Sequence, residues 1–450
     1  MSLAGWISEE ALWRSVAVTL DEEILPALDG PAAAVALQLS GLARYALHRG
    51  VDPGPVRCSR LAAELGLLAV EPWAAMAEAS AVRLRADRRQ AGGGESVVAL
   101  RSLLVSFVGE DIRRAAPLLE TFARHGVERA GNAPAGPAEM AQLQQWFSRW
   151  MPGALVASAQ VISGGHSRRM LDVRVDTAGG PEKFVVRVEQ GGVFGTDGRR
   201  EARVMQALAA AGIPIARIRW VEESPAALGY PFFVMDRVEG SSDVDDTSLI
   251  ALADTLRDLH RLPLGAVAGA FDALPDDADA GVEAAITHWE RIYRDAAGEA
   301  IPLLDDAAAW LRTHLRPTGP LAVIHGDPGP GNFLHRSGRV VALTDWEFAH
   351  LGDPAEDWVY LAAMRGTRIM GVDQWKSWLA VNAGVRYDDA TWRSWLAFNL
   401  FKGACANVTA GRVFTNGHRP GANLLAVGTA LHSTMLLRLV ETIAEDDGGH

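Results

Sequence analysis

Asp327, Asn332 and Asp345 lie within one stretch of 39 residues, 323–361, that reads VIHGDPGPGNFLHRSGRVVALTDWEFAHLGDPAEDWVYL. Asn332 follows Asp327 by five positions, and Asp345 follows Asn332 by thirteen. A carboxylate that accepts a hydroxyl proton, beside an amide oxygen and a second carboxylate that hold Mg²⁺, is a minimal set for phosphoryl transfer. Mg²⁺ suits such a set because it takes one or two protein oxygens and completes its octahedron with phosphate and water.

The elements needed to position these groups are legible around them. The apolar run Leu321-Ala322-Val323-Ile324 precedes Asp327, and Val340-Val341-Ala342-Leu343 precedes Asp345. Short strands joined by a turn would bring acid, amide and acid together. A plain surface turn also fits Pro328-Gly329-Pro330-Gly331 by itself. The combination of HGD, Asn332, DWE and LGDP argues for the active loop. His325 is expected to hold the loop backbone, with Asp353 and Asp357 bracing it.

His325-Gly326-Asp327 through Asn332 and then Asp345 resembles the signature of the aminoglycoside phosphotransferase family, small-molecule kinases that share the protein kinase fold. Asp345-Trp346-Glu347 with Leu351-Gly352-Asp353-Pro354 is similar to the branch related to the kinase domain fused to acyl-CoA dehydrogenases. The resemblance spans about residues 139–440. It implies an α+β, two-lobed, protein-kinase-like fold, with Asp327 catalytic and Asn332 and Asp345 on the metal.

Upstream, Ala157–Ile162, Met170–Val175 and Phe184–Val188 read as strands. Ser163, Gly164 and Gly165 form a turn between the first two, where small residues let backbone N–H groups approach nucleotide phosphates. A plain hairpin is the alternative. Arg168 stands where the branch typically has Asn. By the resemblance, Arg187 takes the phosphate-binding basic position, usually Lys, and Glu201 is its ion-pair partner. The alternative, less favoured, is that Glu201 serves the dipole of its own helix. Phe233 and Met235 belong to a buried strand running into the adenine-binding hinge, and both also suit a core.

The chain has 450 residues, 49% of them hydrophobic, and a formal charge of −12. That balance speaks against a nucleic-acid partner. Cys58 and Cys405 sit at no metal-ligand spacing. With no apparent signal peptide, the sequence predicts a cytoplasmic protein without a membrane partner. Residues 1–130 read as an additional all-α domain with Arg57, Arg60, Arg83, Arg85, Arg88 and Arg89 on solvated faces. Residues 126–136 read as a linker, 137–238 as the N-lobe and 239–450 as the C-lobe. Leu143, Trp146, Phe147 and Trp150 share one side of a helix before the first strand. Trp375, Trp378, Trp392, Trp395, Phe398 and Phe401 supply either lobe packing or a pocket wall. Asp272, Asp276, Asp277 and Asp279 form an acidic loop.

The expected reaction moves the γ-phosphate of ATP or GTP, with Mg²⁺, to a hydroxyl of a small molecule. DWE and LGDP favour a hydroxyacyl-CoA-like or other apolar metabolite. The acidic loop favours an antibiotic. A catalytically inactive binding module is the alternative of another class, allowed by Arg168 and Arg187. A protein partner or a homo-oligomer would then form through the N-terminal helices.

Overall fold

The computed structural model describes residues 9–28, 30–48, 54–67, 72–90, 95–127, 133–162, 169–189, 194, 197–272, 274–416 and 422–447. The turn at Ser163, Gly164 and Gly165, together with Arg168, lies outside them.

Five helices come first: α1 (Glu9–Val18), α2 (Gly30–His48), α3 (Gly54–Leu65), α4 (Trp73–Gln90) and α5 (Glu95–Val127). The last three share a core with the C-terminal helices. Leu61, Met76, Leu84, Leu100, Leu104 and Phe107 join one buried cluster with Trp310, Leu311, Leu436 and Leu439. Ion pairs reinforce this contact. Asp306 receives Arg88 Nε at 2.9 Å and Arg101 Nε at 2.8 Å. The solvated-face expectation is therefore corrected for Arg88, whose side chain is 10% exposed, and for Arg57, at 12%. Arg57 bridges Glu110 and Asp111, because a long basic side chain on α3 reaches acids one helix away on α5.

The expected linker ends in a strand. β1 (Ala133–Pro134) pairs antiparallel with β2 (Leu155–Ile162), flanking α6 (Pro137–Trp150). β3 (Arg169–Thr177), β4 (Gly180–Val188), α7 (Gly198–Ala210), β5 (Ile218–Glu222) and β6 (Phe232–Asp236) complete the lobe. The sheet order is β1-β2-β3-β4-β6-β5, antiparallel throughout. Alternation decides its faces. Leu171, Val173, Val175, Phe184, Val186 and Val188 turn to one side and pack with Leu143, Trp146 and Phe147 of α6. Trp150 stays half-exposed at the end of that helix. Arg187 and Phe233, paired in register on β4 and β6, take the other face.

The second lobe is mainly helical: α8 (Asp246–His260), α9 (Ala278–Ala297) and α10 (Pro302–His314), then β7 (Ala322–Ile324), β8 (Phe333–Arg336), β9 (Arg339–Leu343) and β10 (His350–Gly352), and finally α11 (Ala355–Tyr360), α12 (Val372–Asn382), α13 (Asp389–Thr415), α14 (Ala422–Ala426) and α15 (His432–Asp447). β7 pairs with β10 and β8 with β9, so two small ribbons carry the loop around Asp327. Trp375, Trp392, Trp395, Phe398 and Phe401 are buried, which makes lobe packing their role. In the acidic loop, Asp277 caps α9 through Ala280 N, and Asp272 pairs with Arg203. Among the described residues one segment, Asn423–Ala444, is long and apolar enough to cross a membrane by composition. Leu436, Leu439 and Ile443 of that segment sit in the common core.

Candidate active site

The loop after β7 is built by buried hydrogen bonds. Gly326 takes φ +84, and a Cβ there would stand 2.8 Å from Phe348 Cβ, so the middle residue of HGD must lack a side chain. Asp357, on α11, accepts from His325 N at 2.9 Å and Gly326 N at 2.8 Å. His260 Nε2 lies 2.9 Å from the same carboxylate. The His325 ring closes the turn: Asp327 N donates to its Nδ1 at 3.2 Å, and its Nε2 lies 2.9 Å from Thr344 O. A ring that accepts on Nδ1 carries its proton on Nε2. Burial pushes the His325 pKa down and favours this neutral form. Asp353 stands further back, accepting from Thr318 Oγ1, Gly319 N and Ala355 N.

Asp327 and Asn332 meet within this frame. Asn332 Nδ2 donates to Asp327 Oδ2 at 2.9 Å and to Asp327 O at 2.8 Å. The backbone of Asn332 is tied to Gly329 O and Thr344 N, both at 3.0 Å. With its amide nitrogen turned to Asp327, the Asn332 oxygen has no protein donor among the described residues.

Asp345 adopts φ +61, a conformation that Asp tolerates better than most residues, at the entry to the turn Trp346–Phe348. Arg187 reaches it from the sheet, Nη1 to Oδ1, at 2.6 Å. Arg187 Nη2 lies 3.0 Å from Glu201 Oε1 and 3.9 Å from Glu347 Oε2. Arg187 is thus a buried cation between three carboxylates on α7 and the turn after β9. Burial raises the Asp345 pKa, but the Arg187 charge outweighs it and the net shift is downward. Phe233 is buried opposite Arg187, and Met235 is half-buried at the end of β6.

Four residues escaped the sequence reading. Arg365 grips Asp327 with a fork, Nε to Oδ1 at 2.8 Å and Nη2 to Oδ2. Lys402, 2% exposed, donates to Gly326 O and Glu356 Oε1, each at 2.6 Å. Glu356 also pairs with His350 at 3.0 Å. Tyr360 lies beside Asp327 and Arg365, and burial, followed by the Asp327 charge, pushes its phenol pKa up. A lysine within the apolar run Leu400–Ala406 was the one available signal, since a buried ammonium requires a partner.

This arrangement puts an acid and an amide in contact on one turn, and a second acid on the adjoining turn held by a buried arginine. A family model described as the phosphotransferase enzyme family matches residues 158–398, more than half of the chain. The chain belongs to this family. Among curated proteins, the mouse acyl-CoA dehydrogenase family member 10 is 29% identical over 175 residues, 36% of this chain and 16% of that protein. The chicken acyl-CoA dehydrogenase family member 11 is 25% identical over 244 residues, 49% of this chain and 30% of that protein. Viomycin phosphotransferase of Streptomyces vinaceus is 28% identical over 162 residues, 31% of this chain and 53% of that enzyme. The chain thus matches at most about half the length of these relatives. Among solved structures, a choline kinase of Streptococcus pneumoniae aligns at 16% identity and TM-score 0.48, covering 67% of this chain and 98% of that one. A thermostable mutant of an aminoglycoside phosphotransferase aligns at 15% and 0.48, covering 69% and 100%.

Proposed function

We propose that this phosphotransferase moves the γ-phosphate of ATP or GTP to a hydroxyl of a small molecule. The observation that carries the reading is the Asp327–Asn332 contact in one loop, with Asp345, just past the β8–β9 hairpin, joined to the sheet through Arg187. Asp327 orients the acceptor hydroxyl and takes its proton, while the oxygen attacks the γ-phosphorus. Arg187, held by Glu201, binds donor phosphates with a fork that Lys lacks. Phe233 and Met235 border the base. Little covalent work falls to the protein, so positioning and charge neutralisation dominate.

Asn332 and Asp345 suit Mg²⁺, because both offer hard oxygen ligands. Arg187 occupies one Asp345 oxygen, and the other has no protein donor among the described residues. Bound Mg²⁺ supplies Lewis-acid neutralisation of phosphate charge. ATP as the donor is supported by complexes of related aminoglycoside phosphotransferases with ADP and AMP-PNP.

For the acceptor, the DWE and LGDP motifs and the acyl-CoA dehydrogenase relatives favour a hydroxyacyl-CoA-like or other apolar metabolite. Viomycin phosphotransferase supports an antibiotic as the second reading. The test is Mg²⁺-dependent ADP and GDP release across hydroxyacyl-CoAs, aminoglycosides, a viomycin-type peptide and macrolides, with Asp327→Ala as control. Release stimulated by one acceptor class and lost in the variant is expected. Unstimulated release, equal in the variant, with nucleotide still bound, would point to a binding module.

A further inference from the structure

Arg365 ends a wide helical turn, Leu361–Arg365, that continues α11. Its backbone is held on both sides. Tyr360 precedes the turn, and Gly366 follows it, with its carbonyl accepting from Trp375 Nε1 at 2.9 Å. The side chain then runs to Asp327 and spends two of its three nitrogens there. Room for it comes from Gly329, where an added Cβ would lie 2.6 Å from Arg365 Cβ. Beyond it, Arg365 Nη1 stands 4.0 Å from the site of a Cβ on Gly331, and the Tyr360 hydroxyl also bonds to the guanidinium. The guanidinium also interacts electrostatically with Asp345. Its side chain is 37% exposed. Arg365 is thus a cation beside the proposed proton acceptor, within electrostatic reach of Asp345, with a third nitrogen not spent on Asp327 and with solvent access.

We infer that Arg365 is a further catalytic residue, one that binds the phosphoryl group during transfer. This rests on the proposed phosphoryl transfer. In that step the acceptor oxygen forms a bond to the γ-phosphorus and its proton passes to Asp327. The bond from the γ-phosphorus to the β–γ bridging oxygen breaks, and its electron pair leaves with the nucleoside diphosphate. Charge spreads over the equatorial phosphoryl oxygens between the two carboxylates. Nε of Arg365 stays on Asp327 and keeps that carboxylate turned to the acceptor. Nη1 donates to an equatorial oxygen. A guanidinium suits this double duty because its planar fork serves two acceptors at once, and the ammonium of lysine does not. Arg187 stands at Glu201 and Asp345, on the side of the donor phosphates, whereas Arg365 stands at Asp327.

The test needs no knowledge of the acceptor. ADP binding is titrated with Mg²⁺, with and without aluminium fluoride, which mimics the phosphoryl group in flight. The full chain, Arg365→Gln and Arg365→Lys are compared. Wild type should bind ADP at least about 100-fold more tightly with aluminium fluoride, as transition-state mimics do. Arg365→Gln should keep its ADP affinity within about threefold and lose about tenfold or more of that tightening, with Arg365→Lys in between. Equal tightening in wild type and Arg365→Gln, or no tightening in wild type, would overturn the inference and leave the donor site standing. Loss of ADP affinity along with the tightening in Arg365→Gln would mark a structural residue and overturn it too. Failure of wild type to bind ADP would remove the kinase reading and this inference together.

Discussion

Arg187 and Asp345 are 158 residues apart in the chain, yet Arg187 Nη1 lies 2.6 Å from Asp345 Oδ1. The contact joins the sheet of one lobe to the turn after β9 in the other. Arg187→Lys should retain the fold and weaken nucleotide binding about tenfold, because a point charge cannot serve Glu201 and Asp345 at once. Arg187→Met should cost about 3–5 kcal/mol, since the buried carboxylates of Glu201 and Glu347 would lose the cation between them. Urea denaturation and nucleotide titration of both variants check this; equal stability of Arg187→Met and wild type would contradict it.

Asp357 should govern part of the acid stability. Burial raises its pKa, but the hydrogen bond and charge of His260, with the backbone donor at His325, outweigh burial and hold it below 3.8. A carboxyl depressed by folding contributes stability above its unfolded value, near 3.9. That contribution is lost as pH falls through the lower folded value. Asp357→Asn should therefore cost about 1–3 kcal/mol at neutral pH, through backbone donors left unpaired. It should also flatten the loss of stability in acid. Denaturation midpoints at stepped pH measure both effects, and an unchanged acid limb would exclude Asp357.

Asp306 should hold the N-terminal helices to the C-terminal lobe. It is 4% exposed and receives both Arg88 and Arg101. Asp306→Ala leaves two nearly buried guanidinium groups short of an acceptor and should cost about 3–5 kcal/mol. A chain lacking residues 1–127 should aggregate, because it exposes the apolar surface around Trp310 and Leu311 that the helices cover. Scanning calorimetry and light scattering would show these changes; a monodisperse, fully stable truncated chain would refute them.

Lys402 should act on the loop through a single carbonyl. Lys402→Met removes the donor to Gly326 O and leaves Glu356 with His350 alone. The expected cost is about 3–5 kcal/mol, because an uncompensated charge stays buried. Lys402→Met/Glu356→Gln should recover part of it. A double variant no more stable than the single one would argue that the two charges do not compensate each other.

Much of the loop was legible because its chemistry is local. HGD and Asn332 share one loop, only the β8–β9 hairpin separates Asn332 from Asp345, and the turn at Gly326 can close in few ways. The alternation of β4 likewise places Arg187 opposite Val186 and Val188 before any coordinates are known. Arg365 and Lys402 were not legible. Their partners lie 38 and 76 residues upstream, and helix spacing says nothing about which distant carbonyl or carboxylate a side chain will meet. The arginines of the first helices looked solvated for the same reason. Arg88 is an ordinary polar residue on α4 until α10 packs against it and presents Asp306, 218 residues downstream. The aromatic residues of α13 were legible as a cluster, and burial decided their role.

The most direct measurement follows the label from γ-³²P-ATP into organic product, with Mg²⁺ and a small-metabolite extract as the acceptor pool. Wild type and Asp327→Asn are run in parallel. The account predicts a labelled phosphate ester with wild type, reduced about 10²–10⁴-fold in Asp327→Asn as for loss of a general base, while both bind AMP-PNP equally. Label appearing only as inorganic phosphate, or an ester formed equally by the variant, would contradict transfer to a hydroxyl at Asp327.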